Sequence, residues 1–138
     1  MKKLNQDKIE KIAKKYDLKL LLLFGSQVSG KTHLFSDYDF GFLAEREVSP
    51  AEQGQMYPEL AQLVKTKEDK TDVANLNNIS PFMKYRVLKR NKILFEKPGA
   101  YENYFVRSLQ DYFESEKLLR LRDEIIQKKI NSLNKIYA

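Results

Sequence analysis

Residues 21–42, LLLFGSQVSGKTHLFSDYDFGF, carry two phosphate-handling patterns that exclude each other. Gly25 to Thr32, GSQVSGKT, fits the glycine-rich loop G-x-x-x-x-G-K-[ST]. Gly25-Ser26 also opens a different pattern: Gly-Ser, ten residues, then Asp37-Tyr38-Asp39. The surrounding chain decides between them.

The apolar run LKLLLLF, residues 18–24, stops at Gly25 and reads as a buried strand. A P-loop must next open a full helix that returns the chain to a parallel strand. Such a crossover takes at least about ten to twelve residues. Only His33 to Ser36 lie between Thr32 and Asp37, and YDFGFLAE, residues 38–45, already alternates as a second strand. No later strand-like run ends in an acid suited to a second P-loop motif, since KTDVANL has its Asp before the apolar residues. The P-loop fails on length.

The other pattern makes chemical sense. Asp37 and Asp39 are two apart, so on a strand their side chains share a face. Adjacent carboxylates repel unless a cation lies between them. Hard oxygen ligands suit Mg2+, usually held by one or two carboxylates together with substrate phosphates. Two such ions can hold the attacking and leaving oxygens of an in-line displacement. Gly25-Ser26 supplies a phosphate cradle. Glycine lets the backbone approach closely, the following amides are expected to start a short helix, and Ser26 adds a hydroxyl. A third acid is expected on a neighbouring strand, and Asp72 in TDVANL is the best placed. Asp-x-Asp alone reads as an exposed strand end; the specificity lies in the ordered combination.

The remaining elements follow from pattern. In QDKIEKIAKKY, Ile9, Ile12, Ala13 and Tyr16 form a helical stripe. Ser49-Pro50-Ala51-Glu52 is a helix start with serine cap, proline at the first position and glutamate three after the serine. That helix is expected to about Lys65, with Met56, Leu60 and Leu63 inward. Residues 71–76 read as a third strand, Ser80-Pro81 starts another helix over FMKYRVLKR, and KILFE at 92–96 is a short strand. Pro98-Gly99 breaks the chain. From Tyr101 no helix breaker occurs, so one long helix or two with a bend follow, with Leu119, Ile126, Ile130, Leu133 and Tyr137 on a stripe. The expected organisation is a core over residues 1–98 and a helical extension over 99–138 packed on it, forming one domain.

Composition agrees with a soluble protein. The 138 residues suit one domain, and 42% apolar with 32% charged residues is ordinary. Cysteine is absent, which excludes disulfides and thiolate metal sites and fits a cytoplasmic location. No signal peptide or membrane-spanning run is evident. The formal charge of +6 favours anionic partners. There is no aromatic-interleaved basic motif, so direct nucleic-acid binding is not expected.

The run LFGSQVSGKTHLFSDYDFGFLAE resembles the active-site segment of the DNA polymerase β-like nucleotidyltransferases. Within that superfamily the chain resembles the minimal nucleotidyltransferases (MNT). TDVANLNNISPFMKYRVLKRNKILFE is similar to the corresponding part of the antitoxins in HEPN/MNT toxin–antitoxin pairs, and the resemblance covers roughly residues 8–115. It implies an α+β fold, a small mixed sheet flanked by helices with a C-terminal helical extension. It implies ATP with its triphosphate on Gly25 and Ser26, and Mg2+, two ions, on Asp37 and Asp39 with Asp72. Asp72 would orient or deprotonate an incoming hydroxyl. In the antitoxin branch, of the type VII-like systems, the acceptor is a tyrosine of the HEPN-domain ribonuclease toxin, and AMP blocks its RNA site. The alternatives are an antitoxin acting by direct occlusion and a small-molecule nucleotidyltransferase of the aminoglycoside-modifying kind.

The family often has arginines in the turn, where this chain has Gln27 and Ser29; Lys31 is the candidate to replace their charge. His33 reads as a plain loop residue and Gly30 as the end of the short helix. Arg86, Lys89 and Arg90 read first as a solvated face, with triphosphate or partner contact as the other readings. Tyr101, Tyr104, Phe105, Tyr112 and Phe113 read as core, or as a partner groove.

Overall fold

In the computed structural model, which describes residues 4–25 and 37–137, the first helix starts at a side-chain cap. Asn5 Oδ1 accepts from the backbone N–H of Asp7 (3.0 Å) and Lys8 (3.3 Å). This α1, Gln6–Lys15, buries Ile9, Ile12 and Ala13, the expected stripe. Strand β1, Leu18–Phe24, and strand β2, Tyr38–Ala44, pair antiparallel. An antiparallel return needs no crossover helix, which is the structural reason that the P-loop reading fails.

Helix α2, Pro50–Leu63, carries the expected capping box: Ser49 Oγ accepts from Glu52 N (3.1 Å), and Glu52 Oε1 accepts from Ser49 N (3.3 Å). Arg46 grips the same carboxylate at 2.8 and 3.0 Å, and this hydrogen bonding holds the Glu52 carboxyl down at about 2. The helix ends slightly before the expected Lys65. Lys65 turns left-handed (φ 57), and Lys65 N and Thr66 N donate back to Gln62 O (3.2 Å) and Ala61 O (2.9 Å). That paired closure satisfies the last carbonyls and stops the helix.

Strand β3, Thr71–Asn75, pairs parallel to β2, as the α2 crossover permits. Helix α3, Pro81–Lys89, starts at the Ser80 cap, whose Oγ accepts from Met83 N (3.1 Å). Strand β4, Asn91–Glu96, pairs antiparallel to the other side of β1. The sheet order is β3-β2-β1-β4, the small mixed sheet expected.

Both faces of this sheet are covered. Leu21, Leu23, Phe40 and Phe42 pack under α1 and α2 with Ile9, Tyr16, Met56 and Leu60. Leu20, Leu22, Phe24 and Leu43 pack on the other face with Leu76 and Val87. This explains why β1 is an unbroken apolar run: neither face meets water.

The chain ends in one helix, α4, Ala100–Tyr137, which settles the choice between one helix and two. Tyr104 is buried and donates its hydroxyl to Leu76 O at 3.1 Å. Tyr112 stacks on Tyr85 of α3 at 4.2 Å, and Lys84 pairs with Asp111 at 3.3 Å. Beyond these turns the helix outruns the body. Phe113, Ile126, Ile130, Leu133 and Tyr137 are exposed there, as is Phe105 within the docked turns; the sequence reads the two phenylalanines as core or as a partner groove, and the others as an apolar stripe.

Two glycines test the packing oppositely. A Cβ on buried Gly41 would lie 2.5 Å from Leu76 Cδ2, while one on Gly54 of α2 meets nothing within 4 Å. Gly41→Ala should lower stability by about 1–3 kcal/mol through overpacking. Gly54→Ala should raise it by about 0.5–1 kcal/mol through helix propensity. Urea denaturation followed by circular dichroism reads both, and a Gly41→Ala chain as stable as the parent would show that the Leu76 contact is slack.

Candidate active site

The carboxylates converge because the ladders align them. Phe24 at the end of β1 pairs with Asp39 near the start of β2, and Asp39 pairs with Asp72 near the start of β3. Paired residues on neighbouring strands point to the same face, and Asp37 lies two before Asp39. One row across the sheet edge therefore brings Asp39 and Asp72 together, with Asp37 beside them.

The electrostatics report the crowding. The Asp39 carboxyl is pushed above its ordinary value, first by burial and then by the negative charges of Asp72 and Asp37. Gly25 faces the same carboxylate. Its φ is +82°, and a Cβ there would lie 2.3 Å from Asp39 Oδ2. Only glycine allows the turn after β1 to pass so close to Asp39. Ser26 and Lys31, with Gln27, Ser29, Gly30 and His33, lie outside the described residues.

These groups border a cavity of about 570 Å³. Asp39, Asp72 and Gly25 line it, together with Arg86 and Lys89 of α3 and Arg90, the extended residue just after that helix. Ile79, Met83 and Phe24 add apolar surface. A hollow that joins charged groups of both signs to apolar surface suits a nucleotide, with cations for phosphates and apolar surface for a base. The basic side chains are exposed, as the solvated-face reading expects, and they also border the cavity. The spacing of Arg86 and Lys89, i and i+3, was the available signal that those two share a helix side; Arg90, read as part of the same helix, instead lies just beyond its end with extended backbone. What holds that side in place is the docking of α3 on α4 through the Tyr85–Tyr112 stack and the Lys84–Asp111 pair. A second hollow of similar volume lies along α1, lined by Asp7, Glu10, Lys11 and Lys14 among others. Its acids, Asp7, Glu10 and Asp17, lie along α1 and the turn after it and no strand ladder pairs them, so the chemistry points to the first.

The donor set fits Mg2+. Two paired carboxylates, one of them raised by burial and by its acidic neighbours, are what a hard divalent cation relieves. Among the described residues no three His, Cys, Asp or Glu side chains are grouped so as to hold a metal ion. Asp72 Oδ1 also accepts from Val73 N at 3.0 Å and from the Tyr57 hydroxyl at 3.2 Å. Tyr57, on α2, went unnoticed in the sequence because nothing local links it to residue 72. Burial is the first of the causes that hold its phenol above the ordinary value, so the group serves as a donor.

The comparisons with known proteins agree with this geometry. A family model described as polymerase beta, nucleotidyltransferase matches residues 7–99. The chain is 30% identical over 118 residues to the protein adenylyltransferase MntA of Aphanizomenon flos-aquae (strain 2012/KM1/D3), covering 80% of this chain and 79% of that protein. Its fold is similar to a chain in the crystal structure of a toxin–antitoxin with AMP-PNP, with TM-score 0.69 and 25% identity, covering 92% of this chain and 99% of the other. It is also similar to a chain in the complex of tri-AMPylated Shewanella oneidensis HEPN toxin with MNT antitoxin, with TM-score 0.62 and 22% identity over 91% and 95% of the two chains. Among the described residues no helix is long and apolar enough to cross a membrane.

The raised Asp39 value has a stability consequence. The folded state binds the proton more tightly than the unfolded chain does, so ionised Asp39 opposes folding at neutral pH. Asp39→Asn should therefore raise the melting temperature at pH 7. The gain should shrink as pH falls through the raised value and vanish below the ordinary carboxylate range. Melting curves of both proteins from pH 3 to 8 check this, and a pH-independent difference would contradict a raised Asp39 carboxyl.

Proposed function

The chain belongs to the polymerase β nucleotidyltransferase family, and from that premise we propose that it is a Mg2+-dependent protein adenylyltransferase acting as the antitoxin of a HEPN-domain toxin. The observation that carries the reading is the ladder register that sets Asp39 beside Asp72 at a cavity bordered by Gly25 and by Arg86, Lys89 and Arg90.

ATP would lay its triphosphate on the Gly25-Ser26 turn. Lys31 would offset part of its charge, and Arg86, Lys89 and Arg90 the rest. Asp37, Asp39 and Asp72 would hold Mg2+, two ions in all, which supply charge neutralisation at the attacking and leaving oxygens when bound. Asp72 directs a tyrosine hydroxyl of the toxin and takes its proton. The hydroxyl oxygen bonds to the α-phosphorus, the bond from α-phosphorus to the bridging oxygen breaks, and pyrophosphate leaves. The AMP adds bulk and negative charge to the toxin, which keeps RNA from its active site. The apolar surface from Ile79, Met83 and Phe24 is where the base would lie. The core over 1–98 would carry this chemistry, and the extension over 99–138 would brace α3.

The test is transfer itself. Protein, ATP, Mg2+ and the toxin encoded by the adjacent gene are incubated, and intact mass spectrometry of the toxin should show AMP-sized additions. The Asp37→Ala/Asp39→Ala double substitution should abolish them. Arg86→Ala and Lys89→Ala should each raise the KM for ATP about tenfold, the loss of one charge-assisted contact worth about 1.5 kcal/mol. Full toxin neutralisation by the double substitution with no mass addition would favour occlusion. Transfer to an aminoglycoside but to no protein would favour the small-molecule reading.

A further inference from the structure

Asp72 has an exacting task in an unfavourable place. It must present a carboxylate oxygen in a fixed direction, yet it is exposed, one residue into an edge strand. A free aspartate there would rotate. Instead, two donors land on one oxygen. Asp72 Oδ1 accepts from Val73 N at 3.0 Å and from the Tyr57 hydroxyl at 3.2 Å. The Tyr57 ring is partly buried against the core beneath α2, so its hydroxyl comes from a rigid platform.

A simpler role would be to cap the open edge of β3, since the same hydroxyl lies 3.4 Å from Val73 O. Gln53 already serves that carbonyl, donating through Nε2 at the shorter distance of 3.0 Å. Gln53 satisfies that carbonyl without the hydroxyl, whose single proton lies nearer Asp72 Oδ1 (3.2 Å against 3.4 Å) and holds it from a second element. Tyr57 does not line the cavity, so it does not act on substrate directly. We propose that Tyr57 is a positioning residue for nucleotidyl transfer: its hydroxyl pins Asp72 Oδ1 and so leaves Oδ2 as the oxygen offered to metal and acceptor. This inference rests on the adenylyltransferase reading above. Misplacing a group by a fraction of its reach is known to cost turnover far more than binding.

The test is Tyr57→Phe in the full chain, which keeps the ring packing and removes only the donor. AMP transfer to the toxin is followed by mass spectrometry across ATP concentrations. Separately, Mn2+ binding is titrated by electron paramagnetic resonance with a non-hydrolysable ATP analogue present. We expect kcat to fall about tenfold with KM for ATP unchanged, Mn2+ binding to weaken several-fold, and the melting temperature to hold. Asp72→Asn should abolish the Mn2+ component that Tyr57→Phe weakens. Unchanged kcat and Mn2+ binding would overturn the proposal, as would a loss spread equally over KM and melting temperature. Parent protein that binds no Mn2+ with the analogue and transfers no AMP would overturn the adenylyltransferase reading, and this inference with it.

Discussion

Everything at the cavity depends on one row of residues across the sheet, Phe24, Asp39 and Asp72. A strand has a side-chain period of two, so a slip of one residue in either ladder would turn Asp39 or Asp72 to the opposite face. The register is held by burial on both sides. Phe40 and Phe42 face the core under α1 and α2, while Leu43 faces the other core with Leu20 and Leu22. Slipping β2 would exchange those faces along the whole strand. The apolar packing that stabilises the sheet is therefore also what aligns the acids.

The alignment opposes stability locally. Three acidic groups meet at one sheet edge, and the middle one is half-buried with its carboxyl held above the ordinary value. A structure selected only for stability would not collect them. The basic residues of α3 border the same cavity, so charges of both signs meet where a polyphosphate and its metal would be taken up. The helix that carries those cations is braced by the first turns of α4. The rest of α4 adds no covered contact among the described residues: its apolar positions from Leu118 onward are largely exposed.

Much of the fold was legible in the chain because its signals are local. The Ser49 and Ser80 caps, the stripe of α1 and the unbroken run of β1 all work through neighbours within a turn or a strand. The acids were legible too, since Asp37 and Asp39 sit two apart after a strand and a Gly-Ser turn. The cations of α3 were harder. Arg86 and Lys89 share one helix side by spacing, but spacing cannot say what that side faces. Tyr57 was invisible, because its partner lies fifteen residues on and on a different element. The apolar stripe on α4 was legible as a stripe and no more: helical periodicity shows that a face is apolar, not that anything covers it.

The sequence by itself determined the elements, their order and the identity of the acidic residues. These follow from side-chain period, capping chemistry and the short interval after Gly25, all properties of adjacent residues. Only the tertiary structure decided which of them meet. That Asp39 stands beside Asp72, that α3 turns its cations to the cavity and that Tyr57 reaches Asp72 Oδ1 are consequences of ladder pairing and helix docking. Those contacts form through space between segments far apart in the chain. Their energy comes from burying whole faces at once, which no single stretch of sequence encodes.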